Sequence, residues 1–467
     1  MRLLVGVSIF WVAACGGAGN EVTGGGTPGG ECTEPGRLAH CYSGPVGTDG
    51  VGACTSGVTT CTWNLTWSEC KDERLPSEDI CTNAVDDDCD GTVDEGNDED
   101  GDGWGACEGD CCDTTACAAD PKRVNPGAFE ADGNSLDDDC DGMVDNPDPG
   151  CMAVNPKDPA DYARALDICR TTTREATGID QRWGVIRAEL TRANGQPLPD
   201  LKQAAIKGTF GASTPRYGDS IVVLATGPAA DKNDPTWNPW QPGTSLGGGG
   251  SVPSSWLAAN DGVFPSAPGC PKPGGTEVHD PIMLTLDIRV PTNARSFSIS
   301  SNFLSAEYPE YVCTSFNDFF IMLLTSDFAG EPANPKDGNL AFYTDPDGNT
   351  FPIGVNLAQG TGLFQQCVNG TLGCKGTNTS TTDTCVAQDE LLDTGFDDAG
   401  EACDTGGIVG GGTGWLNTTG NVVPGEVITL RIAIWDTTDG IYDSVALIDN
   451  FQWNIDPTTP GTGMKPQ

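Results

Sequence analysis

The 467-residue sequence has only two histidines, His40 and His279, and 24 basic residues against 67 acidic ones. So few imidazole groups argue against catalysis by histidine, and no H-E-x-x-H zinc motif is present. The net charge of −43 repels phosphate backbones and anionic lipid headgroups. We therefore expect no nucleic acid partner, and cations are the natural partners of this chain.

A membrane-spanning apolar run is also missing. The N-terminal run, residues 3–12, is too short to cross a bilayer comfortably. It follows Arg2 and ends in small residues, which is typical of a secretory signal. The tetrapeptide VAAC at 12–15 matches a bacterial lipobox, in which the cysteine is lipidated after cleavage; a plain signal and a short uncleaved anchor are the alternatives. We predict a lipoprotein signal peptide over residues 1–15 and a lipid on Cys15. That lipid would hold an extracytoplasmic protein to a membrane, at the outer membrane or surface of a bacterial cell.

The 21 cysteines become an even number once Cys15 is set aside as the lipid carrier. An even set in an exported chain indicates disulfide bonds, although the pairing cannot be read from the sequence. Cys89 and Cys140 lie inside acidic runs, where neighbouring carboxylates disfavour a thiolate ligand for zinc or copper. Disulfides are therefore favoured for both, and a nearby pairing such as Cys81 with Cys89 is expected.

Composition changes along the chain indicate its domain organisation. Residues 16–31 are a Gly-rich tether, residues 32–75 a Cys-rich module with little apolar mass, and residues 76–150 carry Asp-rich and Cys-rich metal-binding repeats. Residues 151–180 form a linker containing a short helix, with Asp158 as its N-cap and Pro159 at its first position. Residues 181–456 are predicted to form a β-sandwich domain, and residues 457–467 a flexible tail.

Two acidic repeats, DDDCDGTVD at 86–94 and DDDCDGMVD at 137–145, share one frame. Acids at positions 1, 3 and 5, Gly at position 6, a backbone carbonyl at position 7 and an acid at position 9 are typical of calcium loops. The stretch NDEDGDGW between them fits the same frame. A solvated acidic segment is the alternative, but like charges ~4 Å apart repel by roughly 1 to 4 kcal/mol without a cation. The predicted Ca²⁺ ligands are Asp86, Asp88, Asp90, Thr92, Asp94, Asp98, Asp100, Asp102, Trp104, Asp137, Asp139, Asp141, Met143, Asp145 and, at position 12, Asp148.

The fold is predicted to be mainly β, with small disulfide-rich calcium-loop modules of little regular structure preceding a C-terminal sandwich. Leu430, Ile432 and Ile434 alternate with Thr429 and Arg431, which is the period of a half-buried strand. Short strands with long Gly-rich connections favour a two-sheet sandwich of jelly-roll type, with a barrel as the alternative. Strands are predicted over residues 183–192, 220–226, 281–290, 296–304, 318–325, 339–344, 427–435 and 443–453.

The acidic region resembles the bacterial metal-binding repeats named after MopE. ICTNAVDDDCDGTVDEG, NPGAFEADGNSLDDDCDGMVDN and the preceding module ending TWSEC carry this resemblance over about residues 32–148. The family name implies copper, but two histidines are too few for imidazole ligation, so calcium fits these residues better.

A second resemblance covers about residues 180–455. FLSAEYPEYVCTSFNDFFIMLLTS and LRIAIWDTTDGIYDSVALIDNFQW resemble the choice-of-anchor L domain, a secreted β-rich bacterial module. The whole arrangement is similar to myxobacterial surface lipoproteins, which implies surface display and no particular reaction. Acids cluster at the predicted strand ends and indicate either ordinary turns or a second calcium or ligand site: Glu307, Glu310, Asp318, Asp436, Asp439 and Asp443.

The function predicted from the sequence is non-enzymatic. A lipid-anchored surface protein with calcium-stabilised repeats would display a sandwich that binds an extracellular glycan or protein, as in adhesion or recognition. The alternatives are a structural envelope or matrix protein without a discrete ligand, and a carboxylate-dependent hydrolase using a pair such as Glu307 and Glu310.

Overall fold

The chain divides into two compact units in a computed structural model. One comprises Met1–Glu99 with Gly103–Gly109, and the other Asp100–Asp102 with Asp110–Gln467. The predicted signal peptide 1–15 with its predicted lipid site Cys15, residues 16–24 of the predicted tether and Asp148 lie outside the described residues. The structure describes residues 25–77, 79–81, 83–94, 96, 98–146, 150–199, 201–239, 246, 248–367, 371–376, 385–397 and 410–464.

Disulfides, rather than an apolar core, hold the first unit together, as its composition predicts. An antiparallel hairpin of β1 (Leu38–Cys41) and β2 (Gly57–Thr60) forms its only regular strands among the described residues. The expected pairing of Cys81 with Cys89 is wrong. The buried Cys89 bonds to Cys54 in the hairpin module instead, so closeness along the chain does not decide the pairing. The bonds described in this unit are Cys32–Cys61, Cys41–Cys70, Cys54–Cys89 and Cys81–Cys107.

In the second unit the predicted short helix is present as α1 (Pro159–Arg164). The Asp158 carboxylate accepts a hydrogen bond from the Ala160 amide at 3.0 Å, which caps the helix as expected. The Tyr162 hydroxyl donates to the Pro156 carbonyl, and Tyr162 is fully buried beneath the sandwich. The disulfides described here are Cys111–Cys140, Cys112–Cys117, Cys151–Cys169, Cys270–Cys313 and Cys367–Cys385.

Two large antiparallel sheets and a separate two-stranded sheet, Phe342–Thr344 with Thr350–Pro352, form the C-terminal domain, so the mainly β prediction is confirmed. The larger sheet has strand order β12-β13-β8-β16-β5-β4, and β14 pairs with both β8 and β17; the smaller has order β3-β7-β15-β9, and β6 pairs with β7. The strands are β3 (Gly184–Thr191), β4 (Ala204–Lys207), β5 (Ile221–Ala225), β6 (Gly249–Gly250), β7 (Val278–Arg289), β8 (Ser296–Ser305), β9 (Phe319–Thr325), β10 (Phe342–Thr344), β11 (Thr350–Pro352), β12 (Gln366–Cys367), β13 (Gly411–Gly412), β14 (Leu416–Asn421), β15 (Val427–Thr437), β16 (Ser444–Asn454) and β17 (Gly461–Met464).

Each large sheet buries one face in a shared core. Leu430 and Ile432 of β15 pack there with Phe297 and Ile299 of β8, and all four are fully buried. The opposite faces are partly covered as well: on the smaller sheet, Trp435 packs against Trp256 of α2 (Ser254–Ala259), with ring centroids 5.5 Å apart. Burial on both faces explains the continuous apolar runs of β5 and β9. Short 3-10 turns lie at Ala106–Glu108, Pro121–Arg123, Gly178–Asp180, Leu201–Gln203, Val355–Ala358 and Asp389–Leu391.

The predicted flexible tail is partly wrong. Gly461–Met464 forms β17, which pairs with Leu416 to Thr419 of β14. The Thr462 hydroxyl lies 2.9 Å from that of Thr418 and donates to the Leu340 carbonyl. The partners of β17 are distant in sequence. The sequence of β17 itself, GTGM, has no alternation of apolar and polar residues that would predict a strand. The predicted strand 339–344 is also shorter: Phe342–Thr344 forms β10, and Asn339 makes only an isolated bridge to Leu323.

Candidate functional site

The first acidic loop is a tight turn organised by its leading aspartate. Asp86 accepts hydrogen bonds from the amides of Cys89 at 2.6 Å and Gly91 at 3.1 Å. Gly91 has φ of 106°, a conformation that disfavours side chains and explains the glycine at position 6. The carboxylates of Asp79, Asp86 and Asp88 bring one oxygen each to within 4.8 Å of one another.

The second loop repeats this geometry in the other unit. Asp137 accepts from the amide of Gly142 at 3.0 Å, and Gly142 has φ of 92°. Ligand atoms of Glu130, Asp137 and Asp139 lie within 4.8 Å of one another. Glu130 corresponds to Asp79 of the first loop, because each lies seven residues before the leading aspartate (130 to 137, 79 to 86). Neither acid was among the ligands predicted from the sequence, although their common offset from the leading aspartate is a readable signal.

Two of the predicted ligands, at position 9 of each loop, accept hydrogen bonds from backbone amides. At position 9, Asp94 accepts from the amides of Asn83 and Ala84, and Asp145 accepts from those of Asn134 and Ser135. These aspartates therefore close the turn that leads into each loop. The aspartates at position 5 and the residues at position 7, which would offer backbone carbonyls, do not belong to either group of three carboxylates. A ligand role therefore stays a prediction for Asp90, Thr92, Asp141 and Met143.

The middle loop is divided between the two units. Asp98 accepts from the Gly103 amide at 3.0 Å, so the position 1 to position 6 contact is common to all three loops. Trp104 is buried in the same unit as Asp98. In the other unit, Asp100 and Asp102 form a group with Asp110, whose pKa is raised to about 6, mainly by burial.

Burial sets the electrostatics of the second loop. It raises the pKa of Glu130 to about 7, with Asp138 and Asp139 adding repulsion. Arg170 donates to Asp139 with 2.5 Å between Nη2 and Oδ2 and supplies one positive charge to this carboxylate-rich group. Buried carboxylates that lie close together need positive charge nearby, and a divalent cation would supply more positive charge than Arg170 alone.

A second acidic cluster, the strand-end cluster, lies where strand ends of both sheets meet. Glu307 follows β8, Asp318 precedes β9, Asp436 lies near the end of β15 and Asp443 precedes β16, and all four are buried. The Ser444 hydroxyl donates to Asp318 at 2.6 Å, whereas neither Asp436 oxygen accepts a hydrogen bond of normal length.

Burial raises the pKa of three cluster carboxyls above their ordinary values. The pKa of Asp318 reaches about 7. That of Asp436 is raised well above its ordinary value by burial, with repulsion from Asp318 and Asp443, while a hydrogen bond from the Thr226 hydroxyl acts to lower it. Burial also raises the pKa of Glu307. The described structure does not place three ligand atoms of the six predicted residues, which include the flanking Glu310 and Asp439, within 4.8 Å of one another. A calcium or ligand role for this cluster therefore stays a prediction.

Residues 207–452 match the family model of the choice-of-anchor L domain, over more than half of the chain. The chain belongs to the choice-of-anchor L family. Residues 77–95 and 117–146 match a second model, of the MopE type, described as "Putative metal-binding motif". No curated protein and no solved structure shows significant similarity to the chain. Both resemblances inferred from the sequence are thus confirmed.

The choice-of-anchor L match includes all members of the strand-end cluster, and the MopE-type matches include both carboxylate groups of three. The middle loop lies outside both MopE-type segments. Membership of the choice-of-anchor L family indicates a surface-associated protein, and the motif together with the acidic groups indicates metal binding. Among the described residues, no helix is long and apolar enough to span a membrane.

Proposed function

We propose that this choice-of-anchor L protein is a lipid-anchored bacterial surface protein whose acidic repeats bind calcium and whose sandwich binds an extracellular glycan or protein. The observation that carries the calcium assignment is the duplicated carboxylate group: Asp79, Asp86 and Asp88 in one loop, and Glu130, Asp137 and Asp139 in the other. Two loops with different surroundings converge on the same donor set, which supports a shared ligand.

The donor chemistry favours a hard cation. Every member of both groups is a carboxylate, and calcium prefers oxygen ligands. The loop cysteines Cys89 and Cys140 are in disulfides, so they supply no thiolate for zinc or copper. Each loop is braced by a disulfide on one side and would be closed by a cation on the other, which suits a structural role better than catalysis.

Calorimetric titration of the chelator-treated full-length protein with Ca²⁺ tests this assignment. Heat of binding and a rise in melting temperature are expected, because ligand at 100 times its dissociation constant adds about 2.7 kcal/mol of stability. Asp86→Asn with Asp137→Asn should abolish both effects. Asp345→Asn, in the exposed turn before β11, is the matched control and should leave them unchanged. Equal melting temperatures of the wild-type protein in calcium and in chelator would overturn the assignment.

A further inference from the structure

A groove of about 750 Å³ lies beside the second acidic loop, entirely within the second unit. Three neighbouring strands of the larger sheet form its polar floor. Strand pairing places Thr419 of β14, Ser298 of β8 and Gln452 of β16 side by side in one row. The next positions on the same face are Asn417 and Asn454, which also line the groove. Hydroxyl and amide groups therefore replace the apolar residues that pack the opposite face of these strands.

Aromatic residues border the groove. Trp183 and Trp453 meet edge to face with ring centroids 6.3 Å apart, and Phe451 packs against Trp453 at 4.8 Å. These three rings lie in the hydrophobic core and are at most 9% exposed, so they support the groove from beneath, whereas Tyr217 is 49% exposed at the groove. An accessible aromatic ring next to hydroxyl and amide groups suits a ligand with an apolar face and a polar edge.

The charge of the groove narrows the choice of ligand. Glu130, Asp132, Asp167 and Asp456 line it, and no lysine or arginine does so among the described residues. Such a lining repels uronic, sialylated or sulfated sugars and nucleic acids. The pKa of Asp167 is raised to about 7 by burial, with repulsion from Asp449 and Asp219. Near neutral pH it can therefore donate as well as accept a hydrogen bond.

We infer that this groove binds a neutral carbohydrate chain and that the cation of the second loop orders its wall. Sugar rings offer the required combination, since their C–H faces stack on aromatic rings while their hydroxyls pair with Ser, Thr, Asn and Gln side chains. This inference rests on the proposed recognition function and assigns it a place and a ligand class.

Two contacts connect the groove to the loop. Glu130 belongs both to the groove lining and to the carboxylate group with Asp137 and Asp139. Arg170 pairs with Asp139, and its guanidinium lies 5.1 Å from the centre of the Trp183 ring. A cation bound in the loop would hold the Glu130 side chain in one position and weaken the ion pair of Arg170 with Asp139. Because both residues adjoin the groove, the affinity for sugar should depend on calcium.

The test uses the full-length secreted protein and neutral hexasaccharides of glucose, xylose, mannose and N-acetylglucosamine, together with a printed glycan array. At least one neutral glycan should bind in calcium. Tyr217→Ala and Gln452→Ala should each weaken this binding at least tenfold. Both side chains are exposed, so folding should survive. Trp63→Ala removes a 90% exposed ring outside the groove and should have no effect.

The dependence on calcium is tested by substituting the equivalent acids of the two loops, Glu130 and Asp79. Glu130→Gln should weaken sugar binding at least tenfold and remove its sensitivity to chelator, whereas Asp79→Asn should leave sugar binding unchanged. If a glycan binds but Tyr217→Ala and Gln452→Ala bind it normally, the groove assignment is overturned while glycan recognition stands. Chelator-insensitive binding of the wild-type protein would overturn the calcium link. If no neutral glycan binds, both the groove and the glycan form of the proposed function are wrong.

Discussion

Arg170 forms an ion pair with Asp139, a residue of the second acidic loop whose side chain is only 2% exposed. The pair places a fixed positive charge where the predicted calcium ion would compensate the same carboxylates. Arg170 is itself 25% exposed and lies between α1 and β3, and its guanidinium is 5.1 Å from the centre of the Trp183 ring, so it links the loop to the start of the sandwich domain.

Arg170→Gln should therefore destabilise the calcium-free protein by about 3 kcal/mol, because a buried carboxylate loses its partner. Calcium should restore more stability in this variant than in the wild-type protein, since the metal takes over the missing charge. Thermal unfolding in calcium and in chelator measures both effects. Arg174→Gln is the control: its partner Asp287 also accepts from Arg187 and Thr429, so the loss should stay below about 1 kcal/mol. An equal calcium effect in all three proteins would contradict the prediction.

The strand-end cluster should make stability fall as pH rises. Unfolded carboxyls release their protons near pH 4, whereas in the folded protein the pKa of Asp318 is about 7 and that of Asp436 is also raised well above its ordinary value. Between these values the folded state binds more protons than the unfolded state, so the free energy of unfolding declines with increasing pH. The contribution is fully present below pH 4 and is lost as pH rises through about 7.

Asp436→Asn tests this pH dependence, because an amide cannot ionise. In calcium-free buffer, the stability of the variant relative to the wild-type protein should increase steadily between about pH 4 and pH 8. Urea unfolding across this range measures the difference. Asp347→Asn changes an exposed turn residue and should give a difference that does not vary with pH. The interpretation fails if the Asp436 variant behaves in the same way as this control.

Gly91→Ala and Gly142→Ala should each cost about 1–2 kcal/mol through backbone strain. Nothing lies within 4 Å of an added Cβ at either position, so steric overlap makes no contribution. Both substitutions should also weaken calcium binding, because the Gly amide holds the leading aspartate. Calorimetry measures the affinity. Gly274→Ala, also in open space and without positive φ, is the control and should change neither quantity.

Cys15→Ser should release the protein from membranes, since the proposed lipid is attached to that sulfur. Detergent phase partitioning of cell extracts measures this directly: the wild-type protein should enter the detergent phase and the variant the aqueous phase. Ser8→Ala, within the apolar run of the signal, should partition like the wild-type protein. A variant at Cys15 that still entered the detergent phase would show a different means of attachment.

The acidic loops were predictable because their order is local. A hydrogen bond from the position 6 amide to the position 1 carboxylate joins residues five apart, as for Gly91 with Asp86, and the glycine is required by its own φ. Likewise, Asp158 and Pro159 specify a helix start without help from the rest of the chain. The long strands were readable for the same reason, since apolar runs such as that of β9 reflect burial at consecutive positions.

By itself, then, the sequence determined the loop frame, an oxidised and stapled N-terminal region, the main strands and both family resemblances. Only the tertiary structure decided that Cys89 bonds to Cys54 and that acids from four strand ends meet in one cluster. These relationships depend on chain reversals and on sheet order, where residues far apart are brought together by burial of a shared core. No short window of sequence contains that information.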